Sequence, residues 1–224
     1  MLTSLKKSNR LNETIFLGVS CILCFFFSIY RYSYTDTKMF LFLNWNLFLA
    51  FIPWALSSLV MLKPEIQNKK RTIVLLLFFW LLFFPNAPYI LTDLFHLNAN
   101  SSMPIWFDLI LILSFAWVGL VFGMLSLWDI EKLMMKRMSS TWTSILSTAF
   151  LFLSSFGIYL GRYLRWNSWD IVHNPSGIIY DVGDRFLHPF DHPRTWGVTI
   201  FMGIFLNMVY WSLKLMKKRM STVH

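Results

Sequence analysis

Two aspartate–histidine pairs with the same spacing occur in this chain, each beside a long apolar run. Asp93 precedes His96 by three residues, and Asp170 precedes His173 by the same interval. An aspartate that orients a histidine allows the imidazole to act as a general acid or base. Together the four side chains are also candidate ligands for zinc or a similar ion. The spacing leaves both chemistries open and identifies no cofactor.

The first pair ends the segment FFPNAPYILTDLFH, residues 83–96, which contains two prolines three residues apart. Prolines interrupt helical hydrogen bonding and free carbonyl groups that neighbours must satisfy. If the chain stays helical beyond the second proline, spacings of 3, 4 and 3 place four polar residues on one stripe. These residues are Asn86, Tyr89, Asp93 and His96. We predict Asp93, His96 and Asn86 as catalytic and Tyr89 as a substrate contact; a proline-kinked helix end is the alternative.

The second pair ends the segment GRYLRWNSWDIVH, residues 161–173. Arginine binds carboxylate or phosphate in a bidentate manner, and a tryptophan face can hold a cation or a sugar ring. In helical register one face is shared by Arg162, Trp166, Trp169 and His173. The alternative is interfacial anchoring, which also favours tryptophan. The predicted substrate contacts here are Arg162, Arg165, Trp166, Asn167, Trp169 and Asp170.

Polar residues inside the apolar runs lie at similar depth. Asn44, Asn46 and Asp108 join Asn86 and Arg162 in this group. Polar groups in hydrocarbon tend to face the bundle interior, where they line a cavity or bond to other helices. We predict that these residues share one outward-facing pocket, with Asp93 or Asp108 as the partner of Arg162. Interhelical hydrogen bonding without a cavity is the alternative.

The elements that position these residues are transmembrane helices. The chain is 56% hydrophobic and 14% charged, whereas soluble domains carry about a quarter charged residues. Runs of about 20 apolar residues span a bilayer. We predict one all-α membrane domain, residues 1–224, that forms a six-helix bundle with an extracytoplasmic cap loop over 162–195, folded with turns. The predicted spans are 14–30, 39–62, 72–92, 105–127, 142–161 and 196–213.

The basic residues predict the orientation of the bundle. Alternate segments carry fourteen of the twenty lysines and arginines, among them Lys6, Lys7 and Arg10; the other segments carry six, including Arg31 in the first loop. Lysine and arginine concentrate on the cytoplasmic side, so both termini are predicted to be cytoplasmic. The inner segments read as solvated anchors. The basic residues form no stripe with stacking aromatics, which argues against a nucleic-acid partner.

Three stretches carry a resemblance to a known family. They are NWNLFLA at 44–50, FPNAPYILTD at 84–93 and RWNSWD at 165–170. With them the chain resembles a family of uncharacterised bacterial integral membrane proteins, classed as a domain of unknown function. The resemblance implies a bacterial cytoplasmic membrane and implies no activity, cofactor or protein partner.

The leading functional hypothesis is a membrane-embedded transferase or hydrolase that acts on a lipid or lipid-linked substrate of the cell envelope. A non-enzymatic scaffold or assembly partner is the main alternative, because no known catalytic signature is present. A small-molecule transporter is less favoured, since it needs polar groups through the midplane, where Asn207 is nearly alone.

Overall fold

Long apolar runs form helices in this protein because a helix satisfies its own backbone hydrogen bonds in an apolar medium. The computed structural model describes residues 10–98 and 101–221, and no strand occurs within these ranges. Lys6 and Lys7 lie outside the described residues. The helices are α1 (Leu11–Thr35), α2 (Phe42–Leu62), α3 (Pro64–Gln67), α4 (Lys70–Phe83), α5 (Asn86–Tyr89), α6 (Ile105–Met134), α7 (Ser140–Tyr163), α8 (Asp170–His173), α9 (Pro175–Leu187) and α10 (Pro193–Ser221), with a 3₁₀ segment at Ile90–His96.

The prediction of an all-α bundle with six membrane helices is confirmed. Among the described residues, six helices are long and apolar enough to cross a membrane. They are Leu11–Thr35, Phe42–Leu62, Lys70–His96, Ile105–Met134, Ser140–Tyr163 and Pro193–Lys217. Most extend past the predicted apolar runs, because helices continue into polar flanking residues. The second starts later than predicted, since Asp36 and Phe40 adopt positive φ angles of 52° and 68° and turn the chain.

The chain packs as two compact units, residues 1–133 and 134–224. The prediction of one membrane domain stays a prediction. The core of the first unit joins side chains of α1, α2, α5 and α6. Large residues at its centre, such as Leu43, Ile112 and Phe115, are fully buried.

Two glycines on α6 allow the proline-rich turn to approach that helix closely. A Cβ at Gly119 would lie 2.6 Å from the Ala87 carbonyl oxygen, and one at Gly123 would lie 3.1 Å from the Ala87 Cβ. Small residues four apart are a common device for close packing of membrane helices. The glycine pair therefore fixes the turn that leads to Asp93.

In the second unit, α7 packs along α10. Gly203 of α10 lies directly against the Phe152 ring of α7, where a larger residue would clash. The connection between them contains two further helices, α8 and α9, where the sequence predicted a loop with turns. Asn174 accepts a hydrogen bond from the Gly177 N–H at 3.1 Å, and this cap starts α9.

Candidate functional site

The Asp93 carboxylate is the centre of a small polar site at the beginning of α2. Its Oδ2 accepts a hydrogen bond from Asn46 Nδ2 at 2.8 Å, and its Oδ1 lies 3.7 Å from His96 Nδ1. The 3₁₀ conformation places residues three apart on one side, which brings His96 to Asp93. The His96 ring also packs on Phe42, with the ring centroids 5.2 Å apart.

The two members of this pair differ in exposure. The Asp93 side chain is 1% exposed, whereas the His96 side chain is 45% exposed. A buried carboxylate requires hydrogen-bonding partners, and Asn46 supplies one. The structure thus holds the aspartate in place and presents the imidazole outward.

The proline-rich turn places Asn86 and Tyr89 in α5, directly before the 3₁₀ segment that contains Asp93. Asn86 Nδ2 donates to the Phe83 carbonyl at 2.9 Å, which satisfies an acceptor freed at the end of α4. The Tyr89 carbonyl accepts from the Thr92 hydroxyl at 2.7 Å, and the Tyr89 side chain is half-buried. These contacts stabilise the helix break.

Asn44 is bonded to α1. Its Nδ2 donates to Ser28 Oγ at 2.9 Å and to the Leu41 carbonyl at 3.1 Å. Among the described residues its buried Oδ1 has no hydrogen-bond partner. Asn44 therefore makes an interhelical hydrogen bond, which is the alternative to a shared pocket that the sequence analysis left open.

The partner of Asp108 in the first unit is Arg31, and the pairing of Arg162 with Asp93 or Asp108 stays a prediction. Arg31 Nε donates to Asp108 Oδ1 at 2.6 Å and Nη2 to Oδ2 at 3.3 Å, while Ser101 Oγ donates to Oδ2 at 2.7 Å. Both charged side chains are almost fully buried. The sequence placed Arg31 in a loop, but α1 continues to Thr35 and carries this arginine into the bundle.

A second buried ion pair, which the sequence analysis missed, joins the other ends of the same two helices. Arg10 Nη1 donates to Asp129 Oδ2 at 2.7 Å, and Arg10 Nη2 donates to Glu13 at 2.8 Å. Ser57 also donates to Asp129 Oδ2 at 3.1 Å, and Trp54 Nε1 donates to Glu13 at 2.9 Å. The sequence analysis interpreted the charged residues at this end as solvated anchors. In the structure some of them form a buried network. A signal was present: Arg31 follows Arg10 by 21 positions, and Asp129 follows Asp108 by 21.

In the second unit the predicted helical stripe from Arg162 to His173 is wrong. Helix α7 ends at Tyr163, and Arg165 adopts a positive φ of 62°, which non-glycine residues rarely do. The Trp166 N–H instead bonds to the Leu160 carbonyl at 3.1 Å. The four residues therefore do not follow one helix face.

The residues beyond this break are held mainly by local bonds. Trp166 Nε1 donates to Asp181 Oδ2 at 2.7 Å, so its indole is anchored to α9. The Asp170 carboxylate accepts the Asn167 backbone N–H at 2.7 Å, and His173 Nδ1 lies 3.2 Å from the Trp169 carbonyl oxygen. Arg165, Asn167 and Trp169 are exposed, and Arg162 is half-buried.

A further aspartate–histidine cluster lies at the end of α9. Asp184 Oδ1 accepts from His188 Nδ1 at 3.0 Å, and Oδ2 accepts from His192 Nε2 at 2.7 Å. These hydrogen bonds, that of His188 first, hold the pKa of Asp184 below its ordinary value. Because the folded pKa is depressed, the stabilisation exists at neutral pH and is lost as the pH falls through that pKa.

The metal hypothesis for Asp93, His96, Asp170 and His173 gains no support. Within the described ranges, no three or more histidine, cysteine, aspartate or glutamate side chains are grouped so that they could hold a metal ion. The Asp93–His96 pair belongs to the first unit, and the Asp170–His173 pair to the second.

The helices and their buried polar ends define an all-α, polytopic membrane protein. Residues 45–209 match the family described as "Protein of unknown function (DUF1361)". The chain belongs to this family, which confirms the predicted membership in a family of unknown function. No curated protein and no solved structure matches the chain.

Proposed function

We propose that this protein is a membrane-embedded transferase or hydrolase that acts at the outer leaflet on a lipid or lipid-linked substrate of a bacterial cell envelope. The observation that carries the proposal is the Asp93–His96 arrangement, in which a 1% exposed carboxylate lies 3.7 Å from a 45% exposed imidazole. General acid–base catalysis needs a reachable imidazole whose orientation is fixed by another group. Catalytic hydrogen bonds are often long before substrate binds, so 3.7 Å is compatible with this role.

The chemistry follows from which nitrogen faces the aspartate. His96 Nδ1 is the atom near Asp93, so a proton on Nδ1 leaves the basic lone pair on Nε2. Nε2 then removes a proton from a water or an acceptor hydroxyl as that oxygen attacks the substrate. The imidazolium, stabilised by Asp93, returns the proton to the leaving oxygen. Asn46 holds the second carboxylate oxygen, and Phe42 supports the ring.

The surroundings of His96 favour an amphiphilic substrate. Phe95 and Phe42 are both exposed beside it, and the site lies where α2 and the third candidate span meet the end of the apolar region. The partition of lysine and arginine predicts that this end faces outward. An imidazole among exposed aromatic rings at that level suits the head group of a lipid.

In the second unit, Arg162 and Arg165 are the proposed contacts for a phosphate or carboxylate group. Trp169 offers an exposed ring for a sugar or acyl portion, while the indole N–H of Trp166 is already bonded to Asp181. Asn167 and Asp170 form a turn beside them.

The test uses purified protein in vesicles that contain phosphatidylethanolamine, phosphatidylglycerol, cardiolipin and a polyprenyl diphosphate. Mass spectrometry follows each lipid with time. We expect wild type to convert one component, and His96→Gln or Asp93→Asn to slow that conversion about 10²- to 10⁴-fold. His188→Gln is the matched control, because His188 also bonds an aspartate, Asp184, at 3.0 Å.

Equal rates for His96→Gln and wild type would remove His96 from the mechanism. Conversion that both the His96 and the His188 variant lose would point to a folding defect, which a melting curve detects. Absence of conversion by folded wild-type protein would favour the scaffold alternative.

The scaffold alternative is favoured by one set of observations. Asp108 is engaged by Arg31, and Asn44 by Ser28, so two of the predicted pocket residues make interhelical contacts. Polar contacts of this kind stabilise a membrane bundle without any substrate. The transporter alternative is weaker, because Asn207 donates to the Gly203 carbonyl of its own helix at 2.8 Å.

A further inference from the structure

Helix α9 of the second unit has its charged face turned inward and its apolar face turned outward. Arg185 is 7% exposed, whereas Ile179, Tyr180 and Leu187 are 72%, 74% and 77% exposed. An extramembrane helix in water normally shows the opposite distribution. The exposed face of α9 therefore has the polarity of a surface that meets an apolar medium.

The outward residues form one continuous stripe. Positions i, i+1, i+4, i+7 and i+8 of a helix lie on one face. On α9 these positions are Ile179, Tyr180, Gly183, Phe186 and Leu187. The space around Gly183 is open, with nothing within 4 Å of an added Cβ. Phe190, just beyond the helix, is 95% exposed and extends the stripe.

The charged side chains of α9 are hydrogen-bonded to groups within the second unit. Arg185 Nη1 donates to the Asp181 carbonyl at 2.6 Å and lies 3.2 Å from an Asp181 carboxylate oxygen. It also lies 3.6 Å from Asp184, and Trp166 bonds Asp181 from the preceding segment. Trp166 lies outside α9, so its bond to Asp181 holds the charged face toward the preceding segment and leaves the apolar stripe facing away from it.

The position of α9 in the chain identifies what covers the stripe. The helix lies between two candidate spans, one ending at Tyr163 and the other beginning at Pro193. Only residues 188–192 separate α9 from the second of these spans, and each residue reaches at most about 3.6 Å. The C-terminal end of α9 therefore stays close to the membrane surface.

We propose that α9 is an interfacial helix whose stripe from Ile179 to Leu187 lies among the head groups and upper acyl chains of the bilayer. Amphipathic helices of this kind lie in the interface plane with the apolar face buried in the lipid. The stripe belongs to the second unit and Asp93 to the first, and the proposal does not depend on the enzymatic one.

Charge indicates which lipids are needed. Residues 162–195 contain four arginines and four aspartates, so the segment has no net charge when its histidines are neutral. Attraction to anionic lipids grows with the number of basic residues near the surface. Insertion of α9 should therefore depend on apolar burial and be equal in neutral and anionic bilayers.

The experiment measures the surroundings of single spin labels in the full-length protein. Cysteines replace residue 179, 183 or 187 in a Cys21→Ala, Cys24→Ala background, and the protein is reconstituted in phosphatidylcholine vesicles with or without phosphatidylglycerol. Collisions with oxygen report lipid, and collisions with a water-soluble nickel chelate report water. Ile22, exposed within α1, is the lipid reference, and exposed Glu65 is the water reference.

We expect the ratio of oxygen to nickel collisions at all three positions to lie well above that at 65 and below that at 22, since the interface is shallower than the middle of α1, in both lipid compositions and at high dilution in lipid. Resemblance to the label at 65 would overturn the proposal. Protection from both reagents would indicate that protein covers the stripe, and protection that appears only at high protein density would indicate a second copy; either overturns it. Insertion only with phosphatidylglycerol would replace it by electrostatic adsorption. The label at Gly183 occupies open space, so this variant tests the proposal without disturbing the fold.

Discussion

The two ends of the first unit contain the same kind of ion pair in different surroundings. Arg31 meets Asp108 at 2.6 Å, and Arg10 meets Asp129 at 2.7 Å, each joining α1 to α6. The other groups that accept hydrogen bonds from Arg31 are Thr37 Oγ1, the Met39 carbonyl and Ser101 Oγ. Arg10 instead has a buried Nε without a partner among the described residues.

The difference concerns how much each pair depends on its arginine. Among the described residues the cationic partner of Asp108 is Arg31, whose guanidinium also lies 4.8 Å from the Phe40 ring centre. Asp129 has Ser57 at 3.1 Å and Lys132 at 3.7 Å in addition to Arg10. A buried carboxylate left without a partner is strongly destabilising. The Arg31 end therefore depends more on its arginine than the Arg10 end does, and it is the end that contains Asp93.

The largest expected effect is an all-or-none difference in cysteine labelling, which determines which end of the first unit faces the outside of the cell. Single cysteines at Asp191 and at Asn68, in a Cys21→Ala, Cys24→Ala background, are treated with a membrane-impermeant maleimide in intact cells. The predicted orientation gives labelling at 191 and none at 68 until the cells are lysed. Labelling at 68 from outside would place the Arg10 end outward and remove the outer-leaflet proposal.

Arg31→Ala should cause the largest loss of stability among single substitutions. It leaves Asp108 buried without its charge partner, which costs about 3–5 kcal/mol. Denaturation by sodium dodecyl sulfate in lipid–detergent mixtures measures the free energy of unfolding. Arg71→Ala, at an exposed position, is the control and should change it by less than about 0.5 kcal/mol. A loss for Arg31→Ala as small as that of the control would contradict the buried pair.

Gly119→Ala probes the middle of α6, between the two ion pairs. The new methyl group would meet the Ala87 carbonyl oxygen at 2.6 Å, and such overpacking costs about 1–3 kcal/mol. Gly18→Ala on α1 is the matched control, since nothing lies within 4 Å of its added Cβ and alanine favours a helix by about 0.5–1 kcal/mol. Opposite signs in the same unfolding assay are expected, and a neutral Gly119→Ala would mean that the turn at Ala87 moves freely.

Arg10→Ala should have a smaller effect than Arg31→Ala, about 1.5–3 kcal/mol, because a charged hydrogen bond is lost while Asp129 keeps Ser57 and Lys132. The same assay compares it with Arg31→Ala, and the further variant Arg10→Ala, Lys132→Ala should lose more than Arg10→Ala alone. If Arg10→Ala is as damaging as Arg31→Ala, the two ends do not differ in the way that their contacts indicate.

Apolar runs and the Asp93–His96 spacing were sufficient to predict the helices and one polar site. The six spans follow from composition, because apolar length alone determines them. The proximity of Asp93 and His96 follows from the local conformation after the prolines. Both depend on residues close together in the chain.

The ion pairs could not be predicted in the same way, because each joins residues far apart. Arg31 and Arg10 flank the apolar run of α1, so counting basic residues assigned them to water. Contacts with α6, and with Phe40 and Trp54 near and on α2, bury them in the fold. Their common interval of 21 positions was the one sequence signal. The prediction of a helical stripe beyond Arg162 was wrong for a local reason, since Arg165 has a left-handed backbone conformation that ends the helix.

The two intervals of 21 residues also correspond to the thickness of a bilayer. Twenty-one helical residues span about 31 Å, and the hydrocarbon core of a typical bilayer is about 30 Å thick. In a thicker bilayer one charged pair would be drawn below the head groups, and in a thinner one apolar side chains of α1 would meet water. Such mismatch sorts proteins among membranes. The distance between Arg10–Asp129 and Arg31–Asp108 thus sets the hydrophobic thickness of the bilayer that best matches the first unit.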